Sequence, residues 1–103
     1  MTWLEIGREE DFPVSETREL VVAGRVLAVG RDADGEWFAL DGVCPHQGGP
    51  LGKGSLDGCV LTCPWHGWQF DITDGQSLLS PHVKHPTIPI KSEAGTVLVK
   101  LAE

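Results

Sequence analysis

Two short clips constrain this chain more than any other feature: Cys44-Pro45-His46 and, after an intervening stretch rich in glycine, Cys63-Pro64-Trp65-His66. Two cysteines and two histidines arriving in pairs offer a metal two soft thiolates and two imidazoles from a pair of opposed loops. Cys44, His46, Cys63 and His66 are therefore the candidate ligands. A closed tetrahedral zinc site takes this donor set. So does a two-iron, two-sulfur cluster with cysteines on one iron and histidines on the other. Spacing alone leaves both readings open.

Composition narrows the setting. A chain of 103 residues is the size of one domain, 1–103, and should bury only about 60–70% of the surface its unfolded form exposes, so a bound metal group would add stability that a small core lacks. Fifteen acidic against eight basic residues give a formal charge of −7. Nucleic acid and anionic membranes are poor partners for such a surface, and a basic patch on another protein is a better one. With two of three cysteines committed to metal, no internal disulfide is left, which suits a reducing compartment. Cys59, in the apolar run Cys59-Val60-Leu61, reads as a buried structural thiol. The amino terminus, MTWLEIGREEDF, has no basic and apolar leader pattern, and the chain has no run of eighteen apolar residues. A soluble, cytoplasmic, monomeric protein is expected.

The chain around the clips reads as short strands. Trp3 to Ile6, Leu20 to Ala23, Arg25 to Val29 and Trp37 to Leu40 are β candidates punctuated by Gly24 and Asp34-Gly35, and a single helical turn fits Glu9 to Phe12. Between the clips, Gly52 to Gly58 reads as a turn and Cys59 to Thr62 as a strand, and Trp68 to Ile72 leads away to Asp74-Gly75. Ser80 to Pro89 carries three prolines and no periodicity, which makes it a candidate third wall beside the clips, with His82 and His85 as solvent-exposed histidines. Ile88 to Lys91 and Thr96 to Leu101 form a terminal hairpin. The pattern predicts an all-β, antiparallel sandwich or barrel with a small metal-binding subdomain, about 43–71, inserted into it.

C-P-H-Q-G-G-P-L followed by C-P-W-H-G-W-Q-F-D resembles the Rieske-type ferredoxins, whose pattern is C-x-H-x-G-x-x-L and then C-x-x-H-G. Cys44, His46, Gly48, Leu51, Cys63, His66 and Gly67 stand at those places. The resemblance implies a Rieske 2Fe-2S cluster, with Cys44 and Cys63 on the inner iron and His46 and His66 on the outer, in an ISP-like fold. Glycines 48, 49 and 67 and prolines 45, 50 and 64 then read as turn-makers that aim backbone amides at sulfur, with Leu51 and Trp65 as apolar cover. It also implies a function: a one-electron carrier, itself not an enzyme, that passes electrons from an NAD(P)H-dependent flavoprotein reductase to a terminal, ring-hydroxylating oxygenase. An accessory small subunit of another oxidoreductase, such as assimilatory nitrite reductase, is the alternative. A catalytic oxygenase subunit fails on length, and Gln47 stands where that version usually has arginine.

Departures from the high-potential members tune the expected centre. Those carry a cysteine pair at the places of Gly49 and Trp65, and a serine and a tyrosine at those of Trp68 and Phe70. A hydrogen bond is worth about 1 kcal/mol net, or roughly 40 mV for one electron. Without those two hydroxyls the midpoint should lie near the low end of the Rieske range, roughly −150 mV. Trp68→Ser should raise it by some tens of millivolts, on the order of one hydrogen bond. Voltammetry giving a wild-type midpoint well above zero would contradict this reading.

Overall fold

A computed structural model describes residues 2–45, 48–65 and 67–101. Among the described residues, nine strands form three antiparallel sheets of three. The first contains β1 (Thr2–Arg8), β9 (Thr96–Leu101) and β8 (Ile90–Glu93), in that order. The second orders β2 (Glu16–Val22), β3 (Arg25–Arg31) and β4 (Trp37–Asp41). In the third, β5 (Ser55–Asp57), β6 (Val60–Thr62) and β7 (Gln69–Asp71) follow one another.

The second sheet separates two apolar cores, and the alternation of its side chains explains how. On β3, Leu27 and Val29 point to one side and Ala28 to the other; on β4, Ala39 joins the first set while Phe38 and Leu40 join Ala28. Leu27, Val29 and Ala39 meet Val97, Val99 and Leu101 of β9 and Phe12. Ala28, Phe38 and Leu40 meet Leu51, Leu61, Phe70, Ile72, Cys44 and Cys63. Burial on both faces is why these strands read as nearly continuous apolar runs, whereas β9, with one face inward, alternates.

The expected strands are present, and the expected helical turn is a 3-10 turn at Glu9–Asp11. The segment read as a plain turn between the clips holds more structure: a 3-10 turn at Leu51–Lys53 and then β5. Its shortness hides it, since three residues give no periodicity to read. The β5–β6 register pairs Asp57 with Val60, which leaves Gly58 and Cys59 as a two-residue turn. Cys59 is consequently exposed, not buried. The turn consumes the residue that the adjacent apolar pair appeared to carry inward.

Candidate metal centre

Each clip is a loop tied off at its own cysteine. On the first, the Cys44 amide donates to the Gly49 carbonyl at 2.9 Å, the Gly48 amide donates back to the Cys44 carbonyl at 2.9 Å, and Val43 bridges Pro50. In the second, the Cys63 amide donates to the Trp68 carbonyl at 2.7 Å, closing the connection between β6 and β7 just beyond the pair Thr62 and Gln69. Both cysteines are almost wholly buried, 2% and 1% exposed, in the same apolar cluster. Of the four predicted ligands, Cys44 and Cys63 are thus placed in one buried cluster. His46, His66 and Gln47 lie outside the described residues.

The two loops face each other closely. A Cβ on Gly49 would stand 2.7 Å from the Cys63 Sγ and 3.0 Å from the Cβ and Cγ of Trp65. Only glycine lets the first loop's backbone approach the second loop's sulfur this far. Leu51 is fully buried in the same apolar cluster as the two cysteines, while Trp65 keeps about half its surface, 49%, in solvent. Trp68 and Val83 pack on the same cluster, and Trp68 lies 6.5 Å from the Phe70 ring.

Asp41 and the segment after β7 position this site. The Asp41 Oδ1 accepts the Val43 amide at 3.0 Å, an Asx turn that swings the chain from β4 into the first loop, and Arg25 faces its Oδ2 at 3.6 Å. Residues 75–87 hold to β7 through the Leu78 amide and Gln69 carbonyl, 3.0 Å, and to β4 through the Asp41 amide and Pro86 carbonyl, 3.1 Å. His82 is exposed, as expected, but His85 is not: it is 5% exposed, and its Nε2 lies 2.6 Å from the Asp41 carbonyl oxygen. The signal available in the sequence was weak, namely a histidine between a lysine and a proline in an aperiodic stretch. Asp41 was legible only as a turn residue before glycine.

Two buried thiols on opposed, glycine-closed loops at the end of an all-β scaffold define a class: iron–sulfur or zinc domains that grip their metal between fingertips. The family comparison resolves the choice. The Rieske [2Fe-2S] domain family matches residues 2–95, and the chain belongs to it. Its cofactor is a Rieske 2Fe-2S cluster. The chain is 43% identical over 95 residues to the ferredoxin component of the alkene monooxygenase system of Xanthobacter autotrophicus (strain ATCC BAA-1158 / Py2), covering 90% of this chain and 70% of that protein. To the ferredoxin component of the naphthalene 1,2-dioxygenase/salicylate 5-hydroxylase systems of Ralstonia sp it is 30% identical, over 96% and 95% of the two chains. A chain in the complex of reduced oxygenase and oxidized ferredoxin in carbazole 1,9a-dioxygenase superposes with a TM-score of 0.85 at 31% identity, covering 97% of both. A nitrite reductase small subunit from Mycobacterium tuberculosis shares the fold, TM-score 0.89 at 21% identity over 99% and 97%. Of a longer relative, the cholesterol 7-desaturase of Hemicentrotus pulcherrimus, the chain matches 20% of the length at 31% identity, with 88% of this chain covered.

The described residues fit the cluster. Two thiols sit in an apolar, almost wholly buried cluster, and the absent Cβ at Gly49 leaves a cradle beside one of them. Among the described residues no helix is long and apolar enough to cross a membrane.

Proposed function

We propose that this chain is the ferredoxin component of a multicomponent oxygenase system, a one-electron carrier between an NAD(P)H-dependent flavoprotein reductase and a terminal oxygenase, acting as a cytoplasmic monomer. The observation that carries the reading is likeness along almost the whole of a ferredoxin component, 96% of this chain and 95% of the relative. The domain is read as residues 1–103, with its cluster-binding part at about 43–71. Cys44 and Cys63 would hold one iron and His46 and His66 the other.

When bound, such a cluster accepts and gives up a single electron, and histidine ligation raises its potential above that of a four-thiolate cluster. The chain's own residues do the rest. The Cys44 and Cys63 loops supply thiolates from a site that Leu51, Leu61 and Phe70 keep dry, which lets nearby amide dipoles act at low dielectric. Gly49 allows the two loops to close on each other. The formal charge of −7 favours encounter with a basic partner surface and makes the association rate fall with salt.

Reconstitution tests this. The purified protein, mixed with an NAD(P)H-dependent flavoprotein reductase and a ring-hydroxylating oxygenase, should be reduced in the first half-reaction and reoxidised in the second, and should lose rate as salt rises. Reduction by NAD(P)H without any reductase, or transfer only when fixed to a large reductase subunit, would contradict the reading.

A further inference from the structure

His85 is a buried histidine that the ligand set does not use. A carbonyl oxygen only accepts, so the 2.6 Å contact makes its Nε2 the protonated nitrogen, donating to Asp41. The ring lies 5.4 Å from that of Phe70, a fully buried member of the apolar cluster that contains Cys44 and Cys63. Its backbone amide donates to the Gly75 carbonyl at 2.7 Å. One side chain therefore touches the strand that delivers the first clip and the strand that leaves the second.

Asp41 is held from all sides. The amide donates to Pro86, the carbonyl accepts from His85, Oδ1 accepts from Val43 and Oδ2 faces Arg25. Cys44 is only three residues further on, and the intervening Gly42 is pinned by its own amide to the Val26 carbonyl at 2.8 Å and by its carbonyl to the Leu51 amide at 3.0 Å. Movement at Asp41 has no slack to dissipate in before it reaches the cysteine. An imidazole placed in an apolar cluster costs desolvation that an aliphatic side chain would not, and that cost is offset only because its N–H meets a carbonyl that would otherwise lose a partner.

We propose that His85 is a positioning residue for the iron–sulfur centre: by donating to the Asp41 carbonyl while resting on Phe70, it fixes the corner from which the Cys44 loop departs relative to the strand leaving the Cys63 loop. This rests on the ligand set proposed above.

The test compares wild type with His85→Phe, which keeps a ring against Phe70 but has no donor, and His85→Gln, whose side-chain amide can donate to the same carbonyl. Iron and acid-labile sulfide are measured first, then hydrogen exchange by mass spectrometry on peptides spanning Asp41 to Cys44, the electron paramagnetic resonance spectrum, the midpoint and the rate of cluster loss to a chelator. His85→Phe should retain the cluster with altered resonance and a shifted midpoint. It should also exchange the Val43 and Cys44 amides and lose the cluster about fivefold faster, the ratio that one hydrogen bond is worth. Peptides of β9 should be unchanged, and His85→Gln should restore the wild-type behaviour. If His85→Phe does not fold, His85→Met, flexible and without a donor, takes its place. A fully loaded donorless variant with wild-type exchange, spectrum and midpoint overturns the proposal, as does a Gln variant as perturbed as the Phe one. Absence of labile sulfide from all forms, wild type included, would overturn the ligand set and this proposal together; sulfide in every form with no response to His85 would overturn this proposal alone.

Discussion

Cys63→Ala is expected to give a folded but colourless chain without stoichiometric iron or acid-labile sulfide. Cys63 is 1% exposed and lies within the apolar cluster that also takes in Cys44, Leu61 and Phe70, so removing its sulfur leaves a small apolar void and no stranded polar group. That void costs about 1 kcal/mol. The fold should survive it, because the backbone bond from the Cys63 amide to the Trp68 carbonyl is untouched. Loss of the thiolate is another matter, since metal-binding free energy in a small domain is folding free energy. The variant should melt within about 4–8 °C of chelator-stripped wild type, the shift that 1 kcal/mol produces in a domain of this size, and both should melt well below the loaded protein. Cys59→Ala supplies the contrast. That thiol is exposed on the β5–β6 turn, and its removal should leave sulfide content and melting unchanged. Elemental analysis with calorimetry decides the matter, and stoichiometric sulfide in Cys63→Ala would count against the assignment of Cys63 as a ligand.

The sequence made the two clips and most of the strands legible for different physical reasons. Cysteine and histidine in pairs are rare and chemically specific, so Cys44 and Cys63 could be named before their burial was known. Strands such as β3 and β9 announced themselves through apolar runs or alternation set by the pleat. What stayed hidden was whatever depends on a partner far along the chain. Nothing near His85 signals that Asp41 waits to accept its N–H. Cys59 sat beside two apolar residues, yet a register set by β5 pairing with β6 turned it outward. The burial of β3 on both faces follows from a third sheet that local sequence cannot place.

Gly75→Ala should destabilise the protein by about 3–5 kcal/mol, a large share of the 5–15 kcal/mol that holds a domain of this size together. Two costs combine there. Gly75 has a φ of +81°, a left-handed conformation that charges a side chain about 1–2 kcal/mol. In addition, an alanine Cβ would stand only 2.0 Å from the His85 carbonyl oxygen and 3.0 Å from its carbon, both backbone atoms that cannot rotate away. Relief requires residues 84–86 to move off the 71–75 turn. That strains the His85 amide to Gly75 carbonyl bond at 2.7 Å and the His85 contact with Asp41, each worth about 1 kcal/mol. Gly58→Ala separates the terms, since its φ of +60° carries the same conformational penalty but a Cβ there meets nothing within 4 Å. It should cost only about 1–2 kcal/mol. Denaturant unfolding of the two variants beside wild type measures the difference. Equal destabilisation would mean that the close approach of Gly75 to His85 contributes nothing, and that the segment over β7 can shift without loosening the corner that carries Cys44.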